Sequence, residues 1–79
     1  MNYILYGTSA CHLCEEAEAI IQPIQQIFGF MLHKIDIAES DTLITEYGTR
    51  IPILYCNRTT QSLEWPFDEA KLIQFIKAQ

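Results

Sequence analysis

A six-residue run, Asn2-Tyr3-Ile4-Leu5-Tyr6-Gly7, stops on glycine, and Cys11-His12-Leu13-Cys14 follows almost at once, opening a helical pattern. That handover limits the fold more than any other stretch. The run is short, aromatic and β-branched, which suits a strand buried on both faces. A strand of that kind feeding straight into a helix is the start of a strand-helix-strand unit in a layered α/β domain.

The rest of the chain continues the pattern. From Leu13 the apolar positions fall at Leu13, Ala17, Ile20, Ile21, Ile24, Ile27 and Phe28, which is helical spacing. Pro23 removes one backbone donor and is expected to bend that helix, and Gly29 is its natural stop. Residues 30–37 read as a second strand. Ser40 or Asp41 can cap a short helix through Thr42, Leu43, Ile44 and Tyr47, closing at Gly48. Residues 51–56 are a third strand with a proline at its second position, tolerable at a strand start or edge. A polar turn, Asn57 to Gln61, leads to a fourth strand at 62–65, antiparallel because the connection is brief. Pro66 ends it. Leu72, Ile73, Phe75 and Ile76 mark a last helix from Asp68 to Ala78, with acidic residues at its start and Lys77 near its end, as the helix dipole favours. The order β-α-β-α-β-β-α predicts a mixed four-stranded sheet flanked by helices.

At 79 residues the expectation is one domain spanning residues 1–79, since a chain of this size buries only about 60% of its unfolded surface and has no room for a second core. The net charge of −5 repels polyanions, so neither nucleic acid nor an anionic membrane is an expected partner. The N-terminal stretch carries no basic leader and too short an apolar run for a signal peptide or a membrane span, and the expected location is the cytoplasm. A monomer is expected.

Three cysteines are too few for a disulfide framework, and a close pair in a reducing compartment points to catalysis or metal. Residues three apart share a helix face, so Cys11 and Cys14 can pass between dithiol and disulfide. The unpaired N–H groups and dipole of a helix start stabilise a thiolate at Cys11, the species that attacks disulfides. Glu15 and Glu18, each one turn beyond a cysteine, oppose that thiolate. His12 either supports it as a cation or faces solvent. A zinc site needs four ligands, and Cys11, His12, Cys14 and Cys56 are the candidates; with no second Cys-x-x-Cys or His pair, no metal is expected. Cys56 reads as an inert core thiol, His33 as filler, and Trp65 as a core aromatic.

Cys-x-x-Cys at the first strand-helix junction, with Ile51-Pro52 opening the third strand, resembles the thioredoxin fold, and within it the compact form resembles the glutaredoxins. The likeness also rests on Thr49-Arg50-Ile51-Pro52 and the final helix, and a Trp65-Pro66-Phe67 ending is similar to a compact bacterial glutaredoxin-like group. It implies a thiol-disulfide oxidoreductase acting on protein or small-molecule disulfides, with Cys11 as nucleophile, Cys14 as resolving thiol, a cis Ile51-Pro52 bond, and the Ile51 backbone pairing with an extended substrate. No bound cofactor is implied. Glutathione is the candidate co-substrate, a disulfide-containing protein the other partner, and a thiol reductant restores the dithiol. The chain departs from the family in having Thr8-Ser9-Ala10 where a basic residue precedes the first cysteine, and Trp65-Pro66-Phe67-Asp68 where a Gly-Gly-x-Asp-like turn stands. Arg50 and Asp68 are then the residues left to meet the carboxylate and amine of glutathione. Two other readings compete: a non-catalytic thioredoxin-fold binding module, and a metal- or iron–sulfur-binding relative.

Overall fold

The computed structural model describes residues 2–79; Met1, the first residue of the expected domain, lies outside the described residues. Four strands and three helices follow in the expected order: β1 Asn2–Gly7, α1 His12–Phe28, β2 Met31–Asp36, α2 Asp41–Tyr47, β3 Ile53–Cys56, β4 Ser62–Glu64 and α3 Glu69–Lys77. One further element, a 3₁₀ turn at Ile37–Glu39, joins β2 to α2. Asp36 caps it, accepting from the Ala38 amide at 2.9 Å, a local side-chain bond that the apolar spacing around Ile35 and Ile37 did not reveal.

The sheet order is β2-β1-β3-β4. β1 runs parallel to β2, with Gly7 opposite Asp36, and antiparallel to β3, with Tyr3 opposite Cys56 and Tyr6 opposite Ile53. β4 pairs antiparallel with β3. β1 is therefore interior, yet its two faces differ: Tyr3 and Leu5 are buried, while Ile4 and Tyr6 are half-buried. Tyr3, Leu5, Leu54 and Cys56 share a core with Ala17, Ile21 and Ile24 of α1 and Leu72 and Ile76 of α3, so those two helices cover one face. On the other face Tyr6 stacks on Tyr47 of α2 at 4.7 Å between ring centres. α2 itself buries no residue fully. This thinner side explains the asymmetry along β1. The result is the three-layer thioredoxin-like arrangement implied by the sequence resemblance.

Helix boundaries follow local chemistry. The Ser40 side chain accepts from the Leu43 amide at the start of α2, the Asp68 carboxylate accepts from the Lys71 amide at 2.8 Å at the start of α3, and Gly29 ends α1 in the left-handed region at φ 70°. Pro23 lies inside α1 without dividing it. Both Pro23 and Ala19, whose carbonyl the missing amide would have met, are exposed, so that carbonyl faces water and the helix continues. β3 starts at Ile53 rather than Ile51, because Pro52 precedes the ladder and takes part through its carbonyl, which accepts from the Trp65 amide at 3.2 Å. Trp65 half-buries against the core, edge-on to Phe67 at 5.1 Å. His33 is exposed on β2, an edge strand. Among the described residues, no helix is long and apolar enough to cross a membrane.

Candidate functional site

The site lies where β1 ends and α1 begins. Ala10 takes φ 56°, a region that L residues rarely hold, and turns the chain so that Cys11 becomes the N-cap of α1. The backbone of Cys11 is extended, at φ −108° and ψ 106°, and its carbonyl accepts the first helical bond, from the Glu15 amide at 3.1 Å. Its sulfur accepts from the Cys14 amide at 3.2 Å. Cys11 and Cys14 are disulfide-bonded, with Cα atoms 5.2 Å apart, inside the ordinary span for a disulfide. Both are half-buried. A sulfur at an N-cap with an amide already aimed at it is the environment that favours a thiolate after reduction.

Beside the pair opens a cleft of about 610 Å³ lined by Thr8 to Cys11, Cys14 and Glu15 on one wall, and by Lys34, Asp36 and Glu39 on the other. Asp36 ties the walls together. Its carboxyl is held below the usual carboxylate range, first by the Ala38 amide that donates to it, then by the nearby Thr8 hydroxyl and, less than burial opposes it, by the Ser9 amide. The cleft carries the carboxylates of Glu15, Glu18, Asp36 and Glu39 against the single ammonium of Lys34. Lys34 in turn donates to Glu18 at 2.9 and 3.1 Å. Glu18 therefore opposes the Cys11 thiolate less than its spacing alone suggests.

The other residues singled out by sequence lie around this centre. His12 is exposed and turns its Nδ1 toward Glu15 at 3.9 Å, in solvent rather than packed over the sulfur. The Ile51-Pro52 bond is cis, and Pro52 is buried where β3 begins, at the end of the sheet that also holds Tyr6 and Gly7. Ile51 lies one residue beyond the Trp65–Pro52 bond. The Arg50 guanidinium donates to Glu64, through Nε at 2.8 Å and through Nη2, and lies 5.6 Å from the centre of the Tyr47 ring. The Asp68 carboxylate, expected to meet an amine, caps α3. A second cis bond, Trp65-Pro66, follows β4.

Cys56 does not join the pair. It lies opposite Tyr3, about 13 Å along the sheet from the Gly7 end at ~3.3 Å per residue. The four-ligand set of Cys11, His12, Cys14 and Cys56 is thus not brought together, and among the described residues no cluster of three such groups occurs.

By sequence Gly7 is only the end of a strand. In the structure a β-carbon at Gly7 would stand 3.0 Å from Cys14 Sγ and 3.3 Å from Cys14 Cβ. Its φ is not positive, so space rather than backbone freedom distinguishes it. The one sequence signal is its place at the mouth of the cysteine turn.

Residues 2–77 match the family described as Glutaredoxin-like domain (DUF836). Protein XcR50 from X. campestris, in its X-ray structure, is 28% identical with a TM-score of 0.81, the match covering 98% of this chain and 97% of that one. Protein Ne2328 from Nitrosomonas europaea is 28% identical with a TM-score of 0.79, covering 94% and 88%. Thioredoxin 1 from Thermosipho africanus, at 17% identity and a TM-score of 0.75 over 99% and 92%, shares the fold. No curated protein matches the sequence.

Proposed function

Because the chain belongs to the glutaredoxin-like (DUF836) family of the thioredoxin fold, we propose that it is a thiol-disulfide oxidoreductase whose working group is the Cys11–Cys14 pair. The observation that carries this reading is the disulfide at the start of α1, half-buried, open to a cleft, with the Cys14 amide on the Cys11 sulfur.

In the reduced protein, the Cys11 thiolate attacks one sulfur of a substrate disulfide. A Cys11–substrate disulfide forms, and the other substrate sulfur leaves as a thiolate and takes a proton from solvent. Cys14, deprotonated, then attacks Cys11 Sγ, which releases the second substrate thiol and closes Cys11–Cys14. Two external thiols, glutathione or a protein dithiol, reopen it and leave as their own disulfide. The amide of Cys14 supports negative charge on Cys11 Sγ at the first step and again when Cys11 is the leaving group. Ile51, next to the buried Pro52, offers the backbone edge on which an extended substrate would lie.

Cys14→Ser tests the reading directly. It removes the resolving thiol and is expected to accumulate a covalent Cys11–substrate adduct, seen by mass and released by dithiothreitol. Recovery of free reduced protein alone, after exposure to excess disulfide, would show that Cys11 is not the attacking group.

A further inference from the structure

The two cysteines meet the end of β1 unequally. Cys11 holds the helix cap, whereas Cys14 Sγ is set against the bare backbone of Gly7, where a β-carbon would stand 3.0 Å away. Ordinary van der Waals contact to a β-carbon begins at about 3.4 Å, so at 3.0 Å the sulfur would have to give way. In the disulfide, Cys14 Sγ is bonded to Cys11 and cannot leave this place. In the dithiol the bond is gone, and Sγ can turn about its Cα–Cβ bond to another staggered position. An occupant of the Gly7 space would therefore press on the oxidised state more than on the reduced one.

From this geometry, and resting on the redox reading above, we infer that Gly7 is a positioning residue for the resolving cysteine. Its missing side chain is the seat that lets Cys14 Sγ close on Cys11, and so it sets how reducing the pair is. The affected equilibrium is balanced: one Cys11–Cys14 disulfide and two glutathione thiols give two cysteine thiols and one glutathione disulfide. Gly7 takes no proton and no electron. It changes only the relative stability of the closed form, and β1, paired on both sides with β2 and β3, is the interior strand that carries it.

The test titrates wild type and Gly7→Ala in glutathione buffers, with acid quenching and mass counting of the intramolecular disulfide. The substitution is expected to lower the equilibrium constant for disulfide formation about tenfold, which moves the midpoint about 30 mV less negative for a two-electron couple. A companion pair, Cys14→Ala with and without Gly7→Ala, reports the rate of Cys11 alkylation with no second sulfur to meet. Equal rates there are expected, because the nucleophile and its cap are untouched. An unchanged or more negative midpoint in Gly7→Ala would overturn the inference. So would a changed alkylation rate, or loss of the fold, in the Cys14→Ala background, since the methyl group would then act on the loop and not on the sulfur. If wild type itself shows no reversible transition, the redox reading falls, and the inference with it.

Discussion

Two sulfur environments lie at opposite ends of the same strands. At one end Cys11 and Cys14 open α1, half-buried beside a cleft. At the other, Cys56 ends β3, fully buried. Burial pushes the Cys56 thiol up, but the Thr59 hydroxyl, the amides of Thr59 and Arg58, and the Arg58 charge outweigh it and hold the pKa below the ordinary thiol value. The surroundings thus favour a thiolate in both places. What differs is access: a substrate can reach the helix start, and nothing can reach the inside of the sheet. Thiolate character without an approach path does not make a redox site.

The sharpest way to break this comparison is to exchange the roles. Cys11→Ser is expected to remove turnover of an aromatic disulfide driven by dithiothreitol, followed by absorbance, while Cys56→Ala retains it. In brief alkylation of the reduced protein, Cys56 should react on the order of a hundredfold more slowly than Cys11, as for a group exposed by an opening of ~3 kcal/mol. Comparable labelling of the two would erase the distinction. Cys56 should instead matter to stability: Cys56→Ala leaves a small cavity under Tyr3 and is expected to lower unfolding free energy by about 1 kcal/mol, read from the urea midpoint.

The cleft's charge sharpens the comparison at its open end. With four carboxylates against one paired ammonium, a cationic disulfide such as cystamine should react several-fold faster than anionic glutathione disulfide at low salt, and the gap should narrow at high salt as screening sets in. A salt-independent ratio would remove charge from substrate choice. Acid should also act on this end first. Asp36 has a lowered carboxyl pKa, so its contribution to stability is present above the unfolded-state value and is lost as pH falls through the folded one. Asp36→Asn is expected to flatten the loss of urea resistance below about pH 4; an unaltered acid profile would contradict the hold of the Ala38 amide, and of Thr8 and Ser9 beside it, on the Asp36 carboxylate. The smallest effect belongs to Glu15→Gln. It removes a like charge one turn beyond Cys11 and should shift the pH profile of Cys11 alkylation slightly downward.

The element order, the cysteine pair, the stop at Gly29 and the cap of α2, offered as Ser40 or Asp41, were legible because each rests on neighbours in sequence: apolar period, a side chain meeting an amide three residues on, a glycine after the last turn. Asp68 read only as an acid favoured by the helix dipole and as an amine partner, and the structure makes it the cap of α3. Long-range meetings were not. Lys34 neutralising Glu18 depends on α1 packing beside β2, and Arg50 engaging Glu64 depends on the β3–β4 ribbon. The space that Gly7 leaves for Cys14 needs the chain to turn back on itself at Ala10. Pro23 is expected to bend one helix rather than end it, and α1 runs unbroken through it.

The central claim is that Cys11 and Cys14 form a reversible two-electron couple. A titration of wild type in glutathione buffers, acid-quenched, with the disulfide assigned to Cys11 and Cys14 by mass, tests it most directly. The expected result is a reversible transition between roughly −180 and −270 mV, the span of disulfide isomerase, glutaredoxins and thioredoxin. A pair that stays reduced throughout, or that oxidises only with Cys56 engaged, would contradict it.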